Sequence, residues 1–251
     1  MNQTIWKNFR RAVRDYKLVQ SGDNIAVCIS GGKDSMLMAE CMKRLQREID
    51  FQAGYIVMNP GYSEYNLDII RHNLEFLDID AEIKDTRIFE SVRNEKKNPC
   101  FLCSRLRRGW LYRNAEENGF NKIALGHHFD DAVETILMGM LYGSQMQAML
   151  PRIRAENYSV EVIRPLFRVR EGDITAWTDE NNLKFIRCEC GIAENNGSSK
   201  RSEIKNLLRT LRETNPAVDM NIFRSAENVN LERLMSYHIG DEYHSFLDKF
   251  E

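Results

Sequence analysis

Short, apolar, β-rich runs alternate with helical patterns over the first 142 residues, and this alternation strongly limits the folds open to the chain. Residues 24–30, "NIAVCIS", form one such run; "GGKDS" ends it, and Leu37, Cys41 and Leu45 then mark one face of a helix. The runs "FQAGYIVMN", "AEIKDT" and "NKIALG" repeat the strand pattern, and residues 129–141 keep helical spacing. The alternation predicts an α/β fold with a doubly wound, mostly parallel sheet.

Helical patterns flank this region at both ends. Residues 1–22 predict an amphipathic N-terminal helix with a basic outer face, in which Ile5, Phe9, Ala12 and Val13 form the apolar side. After Gly143 we predict a hairpin over "RIRAENYSVEVIRPL", a short helix over 173–182 and a strand over "KFIRCECG". The tail from Ser199 has a helical pattern. We therefore predict one α/β domain over 23–195, with residues 196–251 as its helical extension.

The chain shows no signal for a membrane or for export. It contains no run of about 18 apolar residues, and its N-terminus lacks the apolar stretch and cleavage site of a signal peptide. We expect a cytoplasmic protein with no membrane partner.

Charge limits how this chain could bind nucleic acid. The formal net charge is −2, so RNA binding would depend on local basic patches. Two candidate patches contain Arg93, Lys96, Lys97, Arg105, Arg107 and Arg108, and Lys200, Arg201, Lys205, Arg209 and Arg212. Charged helix faces are often only solvated surface, so that alternative stays open.

The glycine-rich segment "SGGKDS", residues 30–35, follows the first strand and opens a helix. In an open α/β sheet, ligands bind at this edge. Gly31 and Gly32 would let backbone N–H groups converge on an anion, and Ser30, Lys33 and Ser35 offer further donors. A bare Gly-Gly is equally compatible with an ordinary strand-to-helix turn.

A second polar segment, "LGHHFDD", follows the fourth predicted strand, so its side chains are expected at the same sheet edge as Lys33. Asp130 and Asp131 either cap the following helix or serve magnesium or proton transfer. Adjacent histidines point in different directions, so we expect one packed histidine and one at the ligand.

Four of the six cysteines fall in two close pairs, Cys100 with Cys103 and Cys188 with Cys190. A reducing compartment disfavours structural disulfides. The pairs are compatible with a zinc site, a redox pair or an iron–sulfur cluster on three thiolates. Cys28 and Cys41 lie in a strand and on a helix face, where we expect core residues.

"SGGKDS" resembles the PP-loop of the ATP pyrophosphatases, a family with a HUP-like, Rossmann-type sheet. The resemblance implies that Ser30, Gly31, Gly32, Lys33 and Ser35 hold the pyrophosphate part of ATP and that Asp34 acts near Mg²⁺. It implies an adenine site near residues 57–59, at Met58, and at Gly126 and His127.

The motifs "SGGKDS", "CFLCSRLRRG", "ALGHHFDD", "LYG" and "VIRPL" occur in the order found in the tRNA 2-thiocytidine synthetase (TtcA) family, which the chain resembles over nearly its whole length. The resemblance implies a [4Fe–4S] cluster on Cys100, Cys103 and a third cysteine. We favour Cys190 over Cys188, although the spacing here departs from the family pattern.

The same resemblance implies the reaction and the partners. ATP would adenylate the C2 oxygen of a tRNA cytidine at position 32, and sulfur would replace that oxygen. Lys33, Asp34, Asp131 and Arg107 are the candidate catalytic residues. The expected partners are tRNA, a sulfur donor (hydrosulfide or a cysteine desulfurase) and a second copy of the chain in a homodimer.

Two alternatives stay open. The same chemistry could act on another tRNA base, giving 2-thiouridine, or on a small molecule. A zinc-stabilised, non-catalytic nucleotide-binding module is the alternative from another class.

Overall fold

A computed structural model describes residues 2–93, 95, 99–186 and 200–250 of the chain. Packing groups these residues into two compact units: one holds the residues up to Ala132 and those from Met149, and the other holds Val133–Ala148 and the tail from Lys200. The sequence-based boundary at residues 195 and 196 lies outside the described residues, and the predicted domain division stays a prediction.

A six-stranded sheet forms the centre of the first unit, in the order β3-β2-β1-β4-β6-β5. All neighbours are parallel except the edge strand β5, which is antiparallel to β6. The strands are β1 (Asn24–Ile29), β2 (Gln52–Asn59), β3 (Ala81–Asp85), β4 (Lys122–Ala124), β5 (Arg152–Arg154) and β6 (Glu161–Ile163). The predicted mostly parallel α/β fold is confirmed, as is the hairpin of β5 and β6.

Nine α-helices occur within the described residues. They are α1 (Gln3–Asp15), α2 (Lys33–Leu45), α3 (Glu64–Phe76), α4 (Ile88–Arg93), α5 (Pro99–Glu117), α6 (Phe129–Tyr142), α7 (Glu171–Glu180), α8 (Lys200–Thr214) and α9 (Val218–Glu227). Helix α2 packs on β1 and β2, and α5 packs on β4. None of these helices is both long and apolar enough to cross a membrane.

Helix α1 has the predicted amphipathic pattern. Asn2 caps it, since its side-chain oxygen accepts a hydrogen bond from the Thr4 backbone N–H at 2.9 Å. Ile5, Phe9 and Ala12 are fully buried on its inner side. Burial of this apolar stripe, more than intrinsic propensity, stabilises such a surface helix.

A buried ion pair fixes the chain where α1 leads into the sheet. Lys122, at the start of β4, donates to Asp23 at 2.6 Å, and the side-chain amide of Asn121 donates to the same carboxylate at 2.9 Å. Lys122 and Asp23 are almost fully buried, and a buried charge is tolerated only when it is paired in this way.

The C-terminal part of the chain corrects two sequence-based expectations. The strand predicted over "KFIRCECG" is wrong for its described residues, 184–186, which have no regular structure. The tail is helical only to Glu227; a hairpin of β7 (Ser236–Ile239) and β8 (Glu242–Ser245) follows, with short 3₁₀ helices on either side. Gly240, with φ +62°, forms its turn with Asp241, a pairing typical of tight hairpins.

Candidate active site

The sheet reverses its strand order at β1. From β1 the chain moves to β2 and β3 on one side, and it returns to β4 on the other. Ligands of open α/β sheets bind at the carboxyl ends of the strands at such a switch point. The loops after β1 and β4 are "SGGKDS" and "LGHHFDD", so the structure brings together the two segments that the sequence indicated.

The two loops approach each other tightly at Gly126. A Cβ atom added to it would lie 2.9 Å from the Ser35 backbone nitrogen and 3.0 Å from the Asp34 carbonyl carbon. Because these are backbone atoms of the first turn of α2, only glycine permits this packing.

The glycine-rich loop is fastened by its own hydroxyl groups. Ser35 Oγ accepts from the Ser30 backbone N–H at 3.1 Å and donates to the Gly32 carbonyl at 2.9 Å. Gly31 has φ +80°, in the region that favours glycine, and Gly32 precedes α2 without a capping side chain. The arrangement suits an anion at the N-terminus of α2.

Lys33 lies between two carboxylates. Its ammonium is 2.8 Å from Asp34 Oδ1 and 3.1 Å from Glu171 Oε1. Burial alone would lower the pKa of Lys33, but hydrogen bonds and charge attraction from Asp34 and Glu171 outweigh it and raise the pKa. Lys33 is therefore a fixed cation at neutral pH.

The sequence reasoning missed Glu171 because it comes from α7, far along the chain. Asp130 sets the position of that helix, since its carboxylate accepts from the Glu171 backbone N–H at 2.7 Å. In the sequence, the acidic residues at the start of the helical pattern near residue 173 were the only signal of the role of Glu171.

Asp131 caps α6, one of the two roles that the sequence allowed. Its carboxylate accepts from the His128 backbone N–H at 3.0 Å, as the third residue of a helix does in a capping box. The same carboxylate lies 3.5 Å from His128 Nε2, which is 3.8 Å from Asp34 Oδ1. Capping therefore holds Asp131 beside Asp34.

The two histidines differ in burial. His128 is the packed one, with 3% of its surface exposed, and within the described residues its Nδ1 has no hydrogen-bond partner. His127 is half-buried at the same edge. The expectation of one packed histidine is confirmed, and a ligand contact from His127 stays a prediction.

Cys100 and Cys103 lie near the start of α5, on one side of the helix. Cys100 is exposed, Cys103 is half-buried, and both thiols are free. Cys103 packs against a cluster that includes Met58, near the carboxyl end of β2. The cysteine pair thus lies near the same sheet edge as the glycine-rich loop, while Cys188 and Cys190 lie outside the described residues.

The other two cysteines in the described part of the chain differ from this pair because they are buried. Cys28 and Cys41 are buried, as expected for core residues. Burial raises the pKa of the Cys28 thiol to about 12 and raises that of Cys41 as well. Both thiols are closed off from solvent, whereas Cys100 is exposed.

Two arginines add positive charge near the cysteines and the sheet edge. Arg107, on α5, lies over the Phe89 ring with 5.6 Å from its guanidinium carbon to the ring centroid. Arg164, of the "VIRPL" segment, directly follows β6 and donates to the Leu150 carbonyl. Burial lowers the pKa of Arg164, and the Arg108 charge acts in the same direction, whereas Asp131 favours the charged form.

Three of the five basic side chains in the patch predicted on α8 pair with buried acids of their own unit. Arg201 pairs with the buried Glu134 at 2.7 Å, Lys205 lies 3.6 Å from the same carboxylate, and Arg212 pairs with the buried Asp219 at 2.9 Å. Phosphate binding by α8 stays a prediction. In the α5 patch, Lys96 and Lys97 lie outside the described residues.

Comparison with known proteins gives consistent matches. Residues 1–210 match the model of the PP-loop domain family. The chain is 35% identical over 231 residues to a tRNA-cytidine(32) 2-sulfurtransferase of Geobacter metallireducens, covering 90% of this chain and 89% of the relative. It is 37% identical over 250 residues to the protein of that name from Methylobacillus flagellatus, covering 96% and 80%.

Solved structures share the fold, among them the U34-tRNA thiolase NcsA from Methanococcus maripaludis with its [4Fe–4S] cluster. It aligns with a TM-score of 0.71 and 23% identity over 91% of this chain and 79% of the other. At this identity the likeness establishes the architecture alone.

Proposed function

Since the chain belongs to the PP-loop domain family and, within it, to the tRNA-cytidine(32) 2-sulfurtransferases, we propose that it uses ATP to thiolate a tRNA cytidine at position 32. The C2 oxygen attacks the α-phosphate of ATP, and pyrophosphate leaves. Hydrosulfide-level sulfur then attacks C2, the C2–O bond breaks and AMP leaves with the oxygen. Cytidine, ATP and sulfide thus give 2-thiocytidine, AMP and pyrophosphate.

The meeting of the two loops after β1 and β4 is the observation that carries this proposal. Lys33 provides a fixed positive charge at the N-terminus of α2, and Gly126 packs against the same turn. Phosphoryl chemistry needs positioned positive charge where negative charge accumulates on the departing pyrophosphate.

Each residue of the glycine-rich loop has a proposed task. The pyrophosphate part of ATP would bind Ser30, Gly31, Gly32, Lys33 and Ser35. Its phosphates would replace the carboxylates of Asp34 and Glu171 as the partners of Lys33. These groups act by positioning and by charge, and no covalent bond to the protein is needed.

The nucleoside end of ATP would lie along the same edge. We propose that Met58, Gly126 and His127 contact the adenine. Because the Met58 side chain is buried against Ile88 and Val92, its contact would come from the backbone. Asp34 and Asp131, held close to the same buried histidine, would bind Mg²⁺ together with the phosphates or move a proton.

The described cysteines fit two ligands of a [4Fe–4S] cluster. Cys100 and Cys103 are free, accessible and three residues apart on one helix, and thiolates are the ligands that such clusters use. Cys190, or Cys188, would supply the third. When bound, the cluster supplies sulfur to the activated base. Arg107, one turn beyond Cys103, would face the phosphate or the charge that develops on the base.

Partners and location follow from the same proposal. The substrate is a tRNA, the sulfur comes from hydrosulfide or a cysteine desulfurase, and the protein acts as a cytoplasmic homodimer.

A nucleoside assay in a deletion strain tests this function. Mass spectrometry of tRNA nucleosides should show no 2-thiocytidine in the strain and its return with the wild-type gene. Cys100→Ala and Cys103→Ala should not restore it, whereas Cys28→Ala, which changes a buried thiol, should. Unchanged 2-thiocytidine in the deletion strain would refute the cytidine assignment, and loss of 2-thiouridine instead would indicate the other base.

Metal analysis addresses the cluster. Anaerobically purified protein should be coloured and contain iron and sulfide, and Cys100→Ala should lose both while Cys28→Ala retains them. A colourless protein with one zinc ion would support the non-catalytic, zinc-stabilised module.

A further inference from the structure

An open groove lies at the edge of the sheet opposite the candidate active site. It has a volume of about 1040 Å³ and is lined by α1, the end of α2 and the segments that precede β1 and β2. Val19 and Gln20 precede β1, and Glu48 and Ile49 precede β2, which places the groove at the amino ends of the strands. With a rise of about 3.3 Å per residue, β1 alone separates it from the glycine-rich loop by about 20 Å.

Basic side chains dominate the lining of this groove. All of them are exposed, and among the described residues Glu48 is the one acidic residue that lines it. The basic residues are Lys7, Arg10, Arg11, Arg14, Lys17 and Arg44. Because the whole chain has a net charge of −2, this concentration of positive charge is local.

The ion pairs in the groove are all at the surface. Arg10 pairs with Glu48 at 3.1 Å, and Arg11 and Arg14 share Asp15. Exposed pairs of this kind contribute only about 0–1 kcal/mol, so a polyanion can displace the carboxylates. On α8, in contrast, the acids that hold the basic side chains are buried.

Lys7 and Lys17 form no ion pair in the described part of the chain. Arg44 lies over the Trp6 ring at 4.3 Å, and Trp6 stacks on Phe9. This aromatic pair is buried, so it offers no surface on which an RNA base could stack. The groove therefore offers an RNA positive charge but no stacking platform.

We propose that this groove binds the phosphate backbone of the tRNA outside its anticodon stem-loop, without reading its sequence. The inference rests on the proposed function and adds a second RNA contact to it. The helical stems of a tRNA extend well beyond 20 Å, so one molecule can present a loop base at the carboxyl edge and stem phosphates at the groove. Phosphate contacts position a nucleic acid and contribute affinity that falls with salt.

Binding of two RNAs across a salt series tests the proposal. The probes are a full-length tRNA transcript with cytidine at position 32 and its isolated anticodon stem-loop. Wild-type protein should bind the full-length transcript more tightly. In the triple variant Lys7→Gln, Arg14→Gln and Lys17→Gln, affinity for the full transcript should fall about tenfold or more at ~0.1 M salt, and the slope of log K against log salt should flatten by about 3.

Matched variants separate local from general charge. Arg71→Gln, Arg224→Gln and Lys249→Gln together remove the same net charge from exposed positions outside the groove and should leave both affinities unchanged. Glu48→Gln removes the acid within the groove and should tighten binding of the full transcript, an effect that a purely structural role would not produce.

The outcomes distinguish this inference from the proposed function. Thiolation of the stem-loop should persist in the triple variant, since the active site is unchanged. Equal binding of the two RNAs by wild type, or an unaltered full-length affinity in the triple variant, would overturn the inference while thiolation of the stem-loop still supports the function. A triple variant that sediments differently from the wild type but binds RNA equally well would also overturn it, because the groove would then join two copies of the chain.

Discussion

Replacement of Gly126 by alanine should weaken both the fold and the binding of ATP. The new Cβ would lie 2.9 Å from the Ser35 nitrogen, whereas ordinary contacts begin near 3.4 Å, so the two loops must separate by about 0.5 Å. The obstacle is backbone, and no side chain can rotate away. Overpacking of this kind costs about 1–3 kcal/mol, which for a chain of this size lowers Tm by about 2–12 °C.

The displacement acts directly on the turn that carries Lys33 and Ser35. Misplacement by about 1 Å can reduce turnover about 100-fold, so a shift of half that size should reduce the ATP-dependent rate by about tenfold. Scanning calorimetry measures the first effect, and titration calorimetry with ATP together with pyrophosphate release measures the second.

Gly172→Ala is the matched control. It lies in the first turn of α7, and nothing is within 4 Å of the Cβ it would gain. Since alanine favours a helix over glycine by up to about 1 kcal/mol, its Tm should stay level or rise. Gly126 lacks a positive φ, so backbone strain does not confuse the comparison. Equal Tm and ATP affinity in both variants would refute the close approach as the reason for glycine at position 126.

Three further substitutions test other contacts. Lys33→Met should lower pyrophosphate release about 10²–10³-fold, because it removes the fixed positive charge; a rate near wild type would exclude Lys33 from catalysis. Glu134→Gln removes the buried partner of Arg201 and should lower the free energy of unfolding in urea by about 1–3 kcal/mol; an unchanged value would show that the pair does not stabilise the fold. Burial would raise the pKa of Asp23, but hydrogen bonds, the Lys122 bond foremost, outweigh it and hold the pKa below 3.8. The stability that Asp23 contributes is thus complete above pH 3.8 and is lost as pH falls through the lower pKa that Asp23 has in the folded protein. Asp23→Asn should abolish this pH dependence of the free energy of unfolding.

Sequence alone could predict features whose cause is local. The strand-to-helix alternation determines which loops share an edge, and this placed Lys33 near Asp131 before any coordinates. Burial of Cys28 and Cys41 likewise followed from their positions in a strand and on a helix face.

Features that depend on distant partners were missed. Lys33 meets Glu171 from a helix 138 positions away, a pairing that no local pattern encodes. The pairing of Arg201 with Glu134 is missed for the same reason, because Glu134 lies on α6 and is hidden from any reading of α8 itself. The C-terminal hairpin did have a local signal, alternation around Gly240, which the helical pattern before it obscured.

The pairing of Arg201 on α8 with Glu134 also predicts how these two positions vary among homologous proteins. If Arg201 served an RNA, it would be held constant by a partner outside the chain. Because Glu134 pairs with it at 2.7 Å, each of the two positions instead limits which residue the other can carry. Among homologous sequences we expect them to change together, including pairs with their charges exchanged, while Lys7 and Lys17 stay basic whatever happens elsewhere in the chain.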